Sequence, residues 1–212
     1  LFFNARKTFV MKLIYTLLVA VLFKGAPAPV AERWVIQKSS NLRIEGKSNI
    51  NSFRCDITEH LTPDTLYFYR DDQSCKPIPI KGGLSIHIKR FDCHQKYITN
   101  DLRKTLKADE QPILKIELLN IGYYNGDAGD IKGWVNISLA GVVKTAEINY
   151  TVKNGQPGQL ELLGTRKISF SDFGLKPPQK LAGLIKVEEE LNVRFQLMLR
   201  AVEAKEIPLQ KN

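Results

Sequence analysis

The chain has 212 residues, of which 43% are hydrophobic and 25% charged, and these values are typical of a folded globular protein. They exclude a disordered tail, a collagen-like chain and a polytopic membrane protein. The 31 Lys and Arg residues outnumber the 22 Asp and Glu residues, which gives a net charge of +9. A basic balance of this kind raises the question of a nucleic-acid or lipid partner.

The first 31 residues have the pattern of an export signal. A basic start at Met11 precedes an uncharged apolar run over residues 13–23, and a small-residue stretch with prolines follows. The run is shorter than the roughly 20 apolar residues of a membrane-spanning helix, and the order of the parts is that of a secretory signal peptide. A buried helix or a membrane anchor is the alternative. The sequence predicts an N-terminal extension and signal peptide over 1–31, one domain over 32–212, and a periplasmic or secreted location.

The charge balance changes when this segment is set aside. Residues 1–31 contain four basic residues and no acidic one, so the predicted domain keeps a net charge of about +5. That value is ordinary for a soluble domain. It indicates no nucleic-acid partner and leaves room for a transient contact with an anionic membrane surface.

Three cysteines allow at most one intramolecular disulfide. Cys55 and Cys93 both follow an aromatic residue in strand-like runs, whereas Cys75 lies in a polar, proline-containing loop. We therefore expect a Cys55–Cys93 disulfide, and three free buried thiols are the alternative. His94 is next to Cys93, but no second pair of ligands at metal-binding spacing accompanies them, so we expect no metal site.

Alternation of apolar and polar residues dominates the predicted domain, as it does in antiparallel sheets with one solvated face. Asn-Gly and Pro-Gly pairs mark hairpin turns between the runs, and Ala140-Gly141 is a tight link. Regularly spaced strands of this kind predict a single sandwich or barrel. The alternating runs cover residues 84–89, 135–140, 148–153 and 191–200, with weaker ones at 34–37, 42–48, 53–59, 66–70, 113–123 and 159–170.

One segment departs from this pattern. Residues 99–108 carry Leu102 and Leu106 four positions apart, with Thr99 or Asn100 as a capping residue, which predicts a short helix. Residues 171–178 contain two prolines and predict a rigid loop or a single turn.

The polar residues give no support to an enzyme. The sequence around Ser85 has a superficial likeness to a nucleophile elbow, but the closing glycine is missing. Phosphate-binding and zinc-protease motifs are absent from the sequence. We therefore assign no catalytic residue and no cofactor.

The apolar strand faces are the remaining functional candidates. In a closed sheet they surround one volume, which side chains can fill or a slender ligand can occupy. The inward positions carry no charge in this interpretation, so a ligand inside would be apolar. The pattern alone favours a packed core over a ligand tunnel.

Four segments together resemble the YceI-like family of lipocalin-like, polyisoprenoid-binding domains. The first is Trp-Val-Ile at 34–36 with Leu-Arg-Ile-Glu-Gly-Lys-Ser-Asn-Ile-Asn-Ser-Phe at 42–53, and the second is Phe-Asp at 91–92 with the helix and Gln-Pro-Ile at 111–113. The third is Gly-Trp-Val-Asn-Ile-Ser-Leu-Ala-Gly-Val-Val-Lys at 133–144, and the fourth is Ser-Asp-Phe-Gly-Leu-Lys-Pro-Pro at 171–178.

The resemblance implies an all-β fold, an extended lipocalin-like antiparallel barrel with one short helix. It implies an exported protein that holds a long isoprenoid or similar lipid in the bore, for carriage or storage. A structural or interaction barrel with a filled core is the alternative. The oligomeric state is open, with a homodimer as one option. The expected ligand-binding residues are the inward apolar set together with the 171–178 loop: Ile86, Ile88, Val135, Ile137, Ile148, Tyr150, Phe173, Leu175, Val193, Phe195 and Leu197. We expect Tyr123, Tyr124 or His87 to meet a polar headgroup at the rim.

Overall fold

A computed structural model of the chain describes residues 30–58, 64–70, 76–123 and 129–202. These ranges exclude Cys75, Tyr124 and the Asn125-Gly126 turn, and they also exclude the predicted signal peptide apart from residues 30 and 31. The strands are β1 Val30–Ile36, β2 Asn41–Lys47, β3 Ser52–Ile57, β4 Thr65–Arg70, β5 Ile78–Lys81, β6 Gly83–His87, β7 Phe91–Asp92, β8 Ile113–Ile121, β9 Gly129–Leu139, β10 Val142–Asn154, β11 Gln159–Ser169, β12 Gln179–Lys180, β13 Ile185–Lys186 and β14 Glu190–Val202. The helix α1 is Lys96–Thr105, and short 3₁₀ turns cover Ile88–Arg90, Phe170–Phe173 and Leu181–Gly183.

Eight of these strands form a closed antiparallel ring. The order is β1, β4, β5, β8, β9, β10, β11 and β14, and β14 pairs back to β1. The long central strands carry the alternation seen in the sequence, with Ile148, Tyr150 and Val152 buried between exposed or half-buried neighbours in β10. The predicted all-β barrel with one helix is confirmed.

The two ends of the barrel are built differently, because the first two strands share one partner. β1 pairs with the C-terminal part of β14, from Leu199 to Val202, and β2 pairs with its N-terminal part, from Asn192 to Gln196. We call the end that contains β1, β4 and β5 the lower half, and the end that contains β2, β3, β6, β7 and α1 the upper half. The ring of backbone pairing closes in the lower half.

The upper half has two breaks in its backbone pairing within the described residues. One lies between β6, which pairs only with β8, and the β3–β7 pair. Leu102 of α1 and Leu106 just beyond it are both buried at this end. The second break lies between β10 and β11. These strands pair from the lower end up to Asn149 and Thr165, and their upper parts are not paired with each other. We call this second break the seam.

The lower half contains a core of fully buried apolar side chains. Ile36, Leu66 and Leu162 have no exposed surface, and Leu199 is 1% exposed. Each of these side chains stabilises the fold by about 1.5–3 kcal/mol through removal from water. This half therefore supplies the rigid base on which the upper half stands.

The predicted disulfide is confirmed. Cys55 and Cys93 are bonded across a sequence separation of 38 residues, with Cα atoms 3.8 Å apart. Asp56 faces Asp92 and Ile57 faces Phe91 in the β3–β7 register, so the next facing position pairs Cys55 with Cys93. The bond ties β3 to the segment that leads into α1.

The helix begins earlier than the sequence indicates. It spans Lys96–Thr105, and its N-cap is Gln95, which makes no side-chain capping hydrogen bond. Thr99 is not a cap, because its hydroxyl accepts a hydrogen bond from the Cys93 amide at 2.9 Å and donates one to Asp92 at 3.1 Å. The Thr99 side chain therefore binds the segment that contains Cys93 instead of capping the helix.

Turn chemistry is as expected at one hairpin. Ala140 and Gly141 link β9 to β10 with φ values of 51° and 83°, which fits a two-residue turn with both central residues left-handed. The 171–178 segment contains the single 3₁₀ turn that its prolines suggest. The strand β5 was not predicted, since it is short and contains Pro79.

Candidate functional site

An apolar cavity of about 70 Å³ occupies the upper half of the barrel. Its floor is at Tyr150, near mid-height, and its upper wall includes Leu106 and Phe173. Of the described side chains that line it, only those of Tyr150 and Arg166 carry polar atoms. The remaining wall consists of Leu42, Ile44, Leu84, Leu106, Leu114, Ile116, Leu118, Val135, Ile137, Leu139, Ile148, Ile168, Phe173, Leu191, Val193, Phe195 and Leu197.

Aromatic rings facing glycines shape this bore. The ring of Phe195 lies over Gly164, its direct partner across β14 and β11, in space that a Cβ would need. A Cβ at Gly133 would come within 2.8 Å of Cε2 of Tyr150. Tyr150 and Phe195 meet edge to face with centroids 5.5 Å apart. The two rings therefore cross the bore because the neighbouring strands have no side chains at these positions.

The buried hydroxyl of Tyr150 has no hydrogen-bond partner among the residues that the structure describes. Loss of water on burial raises the pKa of this phenol well above its usual range, so it stays neutral. An unpaired buried hydroxyl costs about 1–3 kcal/mol.

Arg166 is the one charged side chain among the lining residues that the structure describes. Leu160, Leu162 and Gly164 are the buried positions of β11, and the same alternation places Arg166 inward. Arg166 is nevertheless exposed, because it lies above Thr165, where β10 no longer pairs with β11. A side chain that both lines the cavity and reaches solvent marks the cavity mouth at the seam.

The predicted ligand-binding residues fall into two groups. Eight of them line the cavity: Val135, Ile137, Ile148, Tyr150, Phe173, Val193, Phe195 and Leu197. Ile86, Ile88 and Leu175 are buried in the core but are not part of the cavity wall. Contact of any of the eleven with a ligand stays a prediction.

The expected polar rim is different in the structure. His87 is exposed on the outer face of β6, between the buried Ile86 and Ile88, so it cannot meet a headgroup in the bore. Tyr123 is 51% exposed just beyond the lower end of β8, on the side away from the cavity. The interpretation of the inward face as free of charge was also wrong, since Arg166 lies there. The signal was present in the sequence, because Arg166 continues the inward phase of 160, 162 and 164.

A charged cluster on the outer surface strengthens the upper half. Asp56 accepts a hydrogen bond from Nε of Arg43 at 2.6 Å, lies 3.2 Å from Nε of Arg54, and lies 3.0 Å from Nε2 of His94. Burial alone would raise the pKa of Asp56, but the hydrogen bonds of Arg43 and His94 and the nearby positive charges outweigh it and lower that pKa. The cluster joins β2, β3 and the residue after the disulfide.

Metal binding has no support in the part of the chain that the structure describes. No group of three or more His, Cys, Asp or Glu side chains is placed there to hold a metal ion. Across the same residues, no helix has the length and apolar character that crossing a membrane requires.

Exposed apolar side chains collect at the upper end. The β12–β13 hairpin carries Leu181 and Leu184, which are 67% and 74% exposed, and Tyr97 of α1 is 60% exposed. A groove of about 120 Å³ runs between this hairpin, α1 and the β2–β3 turn. The hairpin is fixed by Asn49, whose side chain donates to the carbonyl of Leu184 and accepts from the amide of Lys186.

The fold and the cavity define a lipocalin-like barrel. No family model matches the sequence, and no curated protein matches it. Solved structures do match. BcnA of Burkholderia cenocepacia aligns with a TM-score of 0.60 at 14% identity, over 77% of this chain and 98% of that one.

Two further structures have the same architecture. A polyisoprenoid-binding domain from Saccharophagus degradans, implicated in plant cell wall breakdown, aligns with a TM-score of 0.56 at 12% identity, over 80% of this chain and 98% of that one. A variant of the YceI protein of Campylobacter jejuni aligns with a TM-score of 0.51 at 16% identity, over 74% and 85%. The chain thus has the fold of YceI-like proteins, as the sequence resemblance predicts.

Proposed function

We propose that this protein is an exported lipid-binding barrel that holds the tail of an isoprenoid or similar amphiphilic lipid in its upper cavity, for carriage or storage, and that it is not an enzyme. The observation that carries the proposal is the lining of the cavity, which is apolar at every position except Tyr150 and Arg166. Each methylene group buried there would contribute about 0.8 kcal/mol to binding. The likeness to a polyisoprenoid-binding domain supports the same ligand class.

The size of the cavity sets a condition on this function. At about 70 Å³ it is smaller than the engineered apolar cavity of about 150 Å³ that admits benzene. A long lipid tail therefore requires the upper half to widen. The seam is the place for this movement, because β10 and β11 can separate there without loss of the described backbone pairs.

The Cys55–Cys93 disulfide supports an exported location, since disulfides persist in oxidising compartments. Export also agrees with the sequence pattern that begins at Met11. We include in the proposal a transient contact with a membrane surface during loading.

A second candidate follows from the small volume. A barrel whose interior is mostly filled could be a structural or interaction module, with the packed lower half and narrow cavity as its core. The two candidates differ in whether blocking the cavity has any effect on lipid binding.

The test compares two substitutions of equal bulk in the full chain. Ile168→Trp adds a ring to the cavity wall near the seam, and Ile131→Trp adds the same ring at a half-buried inward position of the lower half. Organic extraction and mass spectrometry of each purified protein report bound lipid, and a fluorescent prenyl lipid reports affinity.

We expect the wild type and Ile131→Trp to carry and bind lipid, and Ile168→Trp to lose at least about tenfold in affinity. Circular dichroism melting checks that both variants fold. Absence of lipid from the wild type, with no binding of the fluorescent prenyl lipid, would favour the filled-core module.

A further inference from the structure

We infer that the lipid held by this barrel has an anionic headgroup, a phosphate or a carboxylate, and that Arg166 is the residue that binds it. The inference rests on the proposed lipid-binding function and names the substrate class for that same site. It starts from the presence of one arginine among the described residues of a cavity wall that is otherwise apolar apart from the Tyr150 side chain.

Register gives the first argument. β11 alternates regularly, and an apolar side chain would be expected at position 166, between Gly164 and Ile168. Burial of an arginine at an inward position of a barrel strand costs free energy unless the guanidinium is paired and hydrogen-bonded. The open seam keeps the guanidinium partly in water, and the stem remains against the cavity.

The absence of a protein partner gives the second argument. In the described part of the chain, the side chain of Arg166 makes neither a hydrogen bond nor an ion pair, whereas that of Lys167 beside it pairs with Glu190 at 3.2 Å. The acidic groups near the seam are already engaged. Asp172 accepts from the Ser169 amide at 3.1 Å, and Glu189 accepts from the Ser171 amide at 2.7 Å.

The shape of the guanidinium gives the third argument. Its planar set of donors matches carboxylate and phosphate oxygens in a bidentate arrangement. Lys144 adds positive charge on the other side of the seam, because it occupies an inward position of β10 and is exposed. A lipid whose tail lies in the cavity would therefore place its headgroup between two cations at the mouth.

The experiment uses isothermal titration calorimetry on the full chain after removal of bound lipid. The probes are farnesyl phosphate and farnesol, which share one tail and differ in the phosphate, and inorganic phosphate alone. The variants are Arg166→Gln and the matched control Lys167→Gln, which removes the same charge from the outer face of the same strand.

We expect the wild type to bind farnesyl phosphate at least about tenfold more tightly than farnesol, as a charge-assisted hydrogen bond predicts. Arg166→Gln should lose that preference, because its affinity falls more for farnesyl phosphate than for farnesol. Lys167→Gln should change either affinity by no more than about twofold.

Three results would overturn the inference. They are equal affinity of the wild type for both lipids, an equal loss in both variants, and binding of inorganic phosphate as tight as that of farnesyl phosphate, which would mean a free-anion site. Failure of the wild type to bind either lipid would instead overturn the proposed function itself, so the two failures are distinct.

Discussion

The lower and upper halves of this barrel solve the problem of an enclosed apolar interior in opposite ways. In the lower half, hydrogen-bonded strands close the ring and side chains such as Leu66 and Leu162 fill it without exposed surface. In the upper half, backbone pairing between the described strands is interrupted at two places. A helix, a 3₁₀ turn, a disulfide and a charged cluster connect the elements there instead. The cavity lies in the half that depends least on backbone pairing.

This difference between the halves shows how one sheet can both stabilise the fold and form a binding cavity. Strands β10, β11 and β14 run through both halves, so the same elements that anchor the core also form the cavity wall. Movement in the upper half need not disturb the lower ring. Regions that open for ligands are generally drawn from the less stable parts of a fold.

The largest contrast is expected on a single strand, β11. Leu162→Ala removes a side chain with no exposed surface from the lower half and should cost about 2–5 kcal/mol of unfolding free energy. Ile168→Ala, in the half-buried cavity wall, should cost roughly half as much, because its side chain already borders empty space. Urea denaturation measures both values. Equal costs would mean that the two halves are packed alike.

Removal of the disulfide tests how the upper half is held together. In the chain-entropy model, a loop of 38 residues gives about 3–4 kcal/mol of stabilisation, so Cys55→Ala with Cys93→Ala should lower the melting temperature under oxidising conditions. Hydrogen exchange should increase in α1 more than in β1. Cys75→Ser keeps the pair intact and is the control. An unchanged melting temperature in the double variant would contradict the role given to this bond.

The smallest effect concerns Asp56 and acid. Because its folded pKa is lowered, its contribution is complete above the unfolded pKa of about 3.9 and is lost as the pH falls through the folded value. Asp56→Asn should cost about 1 kcal/mol or less at pH 7, since the ion pairs are partly exposed.

The difference between Asp56→Asn and the wild type should shrink below about pH 4, because protonation then removes the same charge from the wild type. Denaturation curves across pH measure it. Asp109→Asn, which breaks a more exposed pair with Lys89, is the comparison. A constant difference down to low pH would show that the charge of Asp56 does not matter.

Much of the barrel could be predicted because alternation is a local property of each strand. The inward positions of β10 and β14 follow directly from the apolar phase, and the disulfide follows from two strand-like cysteine segments. The start of α1 could not be predicted, because Thr99 binds the backbone of the disulfide segment instead of capping its own helix.

The candidate site was harder to predict than the fold. Eight of the expected residues line the cavity, but its position in the upper half depends on where β10 and β11 stop pairing, which no local pattern reveals. Arg166 was missed because charge was treated as a sign of an outer face. Its place in the alternation of β11 shows that strand register predicts which side chains face the bore better than residue type does.

The rings that face glycines have a consequence for how such barrels diversify. The ring of Phe195 occupies the space in front of Gly164, and the ring of Tyr150 lies close to Gly133, so both rings depend on a glycine in a neighbouring strand. Replacing one ring with a smaller residue would lengthen the cavity downward while strand number and register stay the same. The length of lipid tail that such a barrel accepts can therefore change through a single substitution at Tyr150 or Phe195. The buried core of the lower half would continue to stabilise the fold.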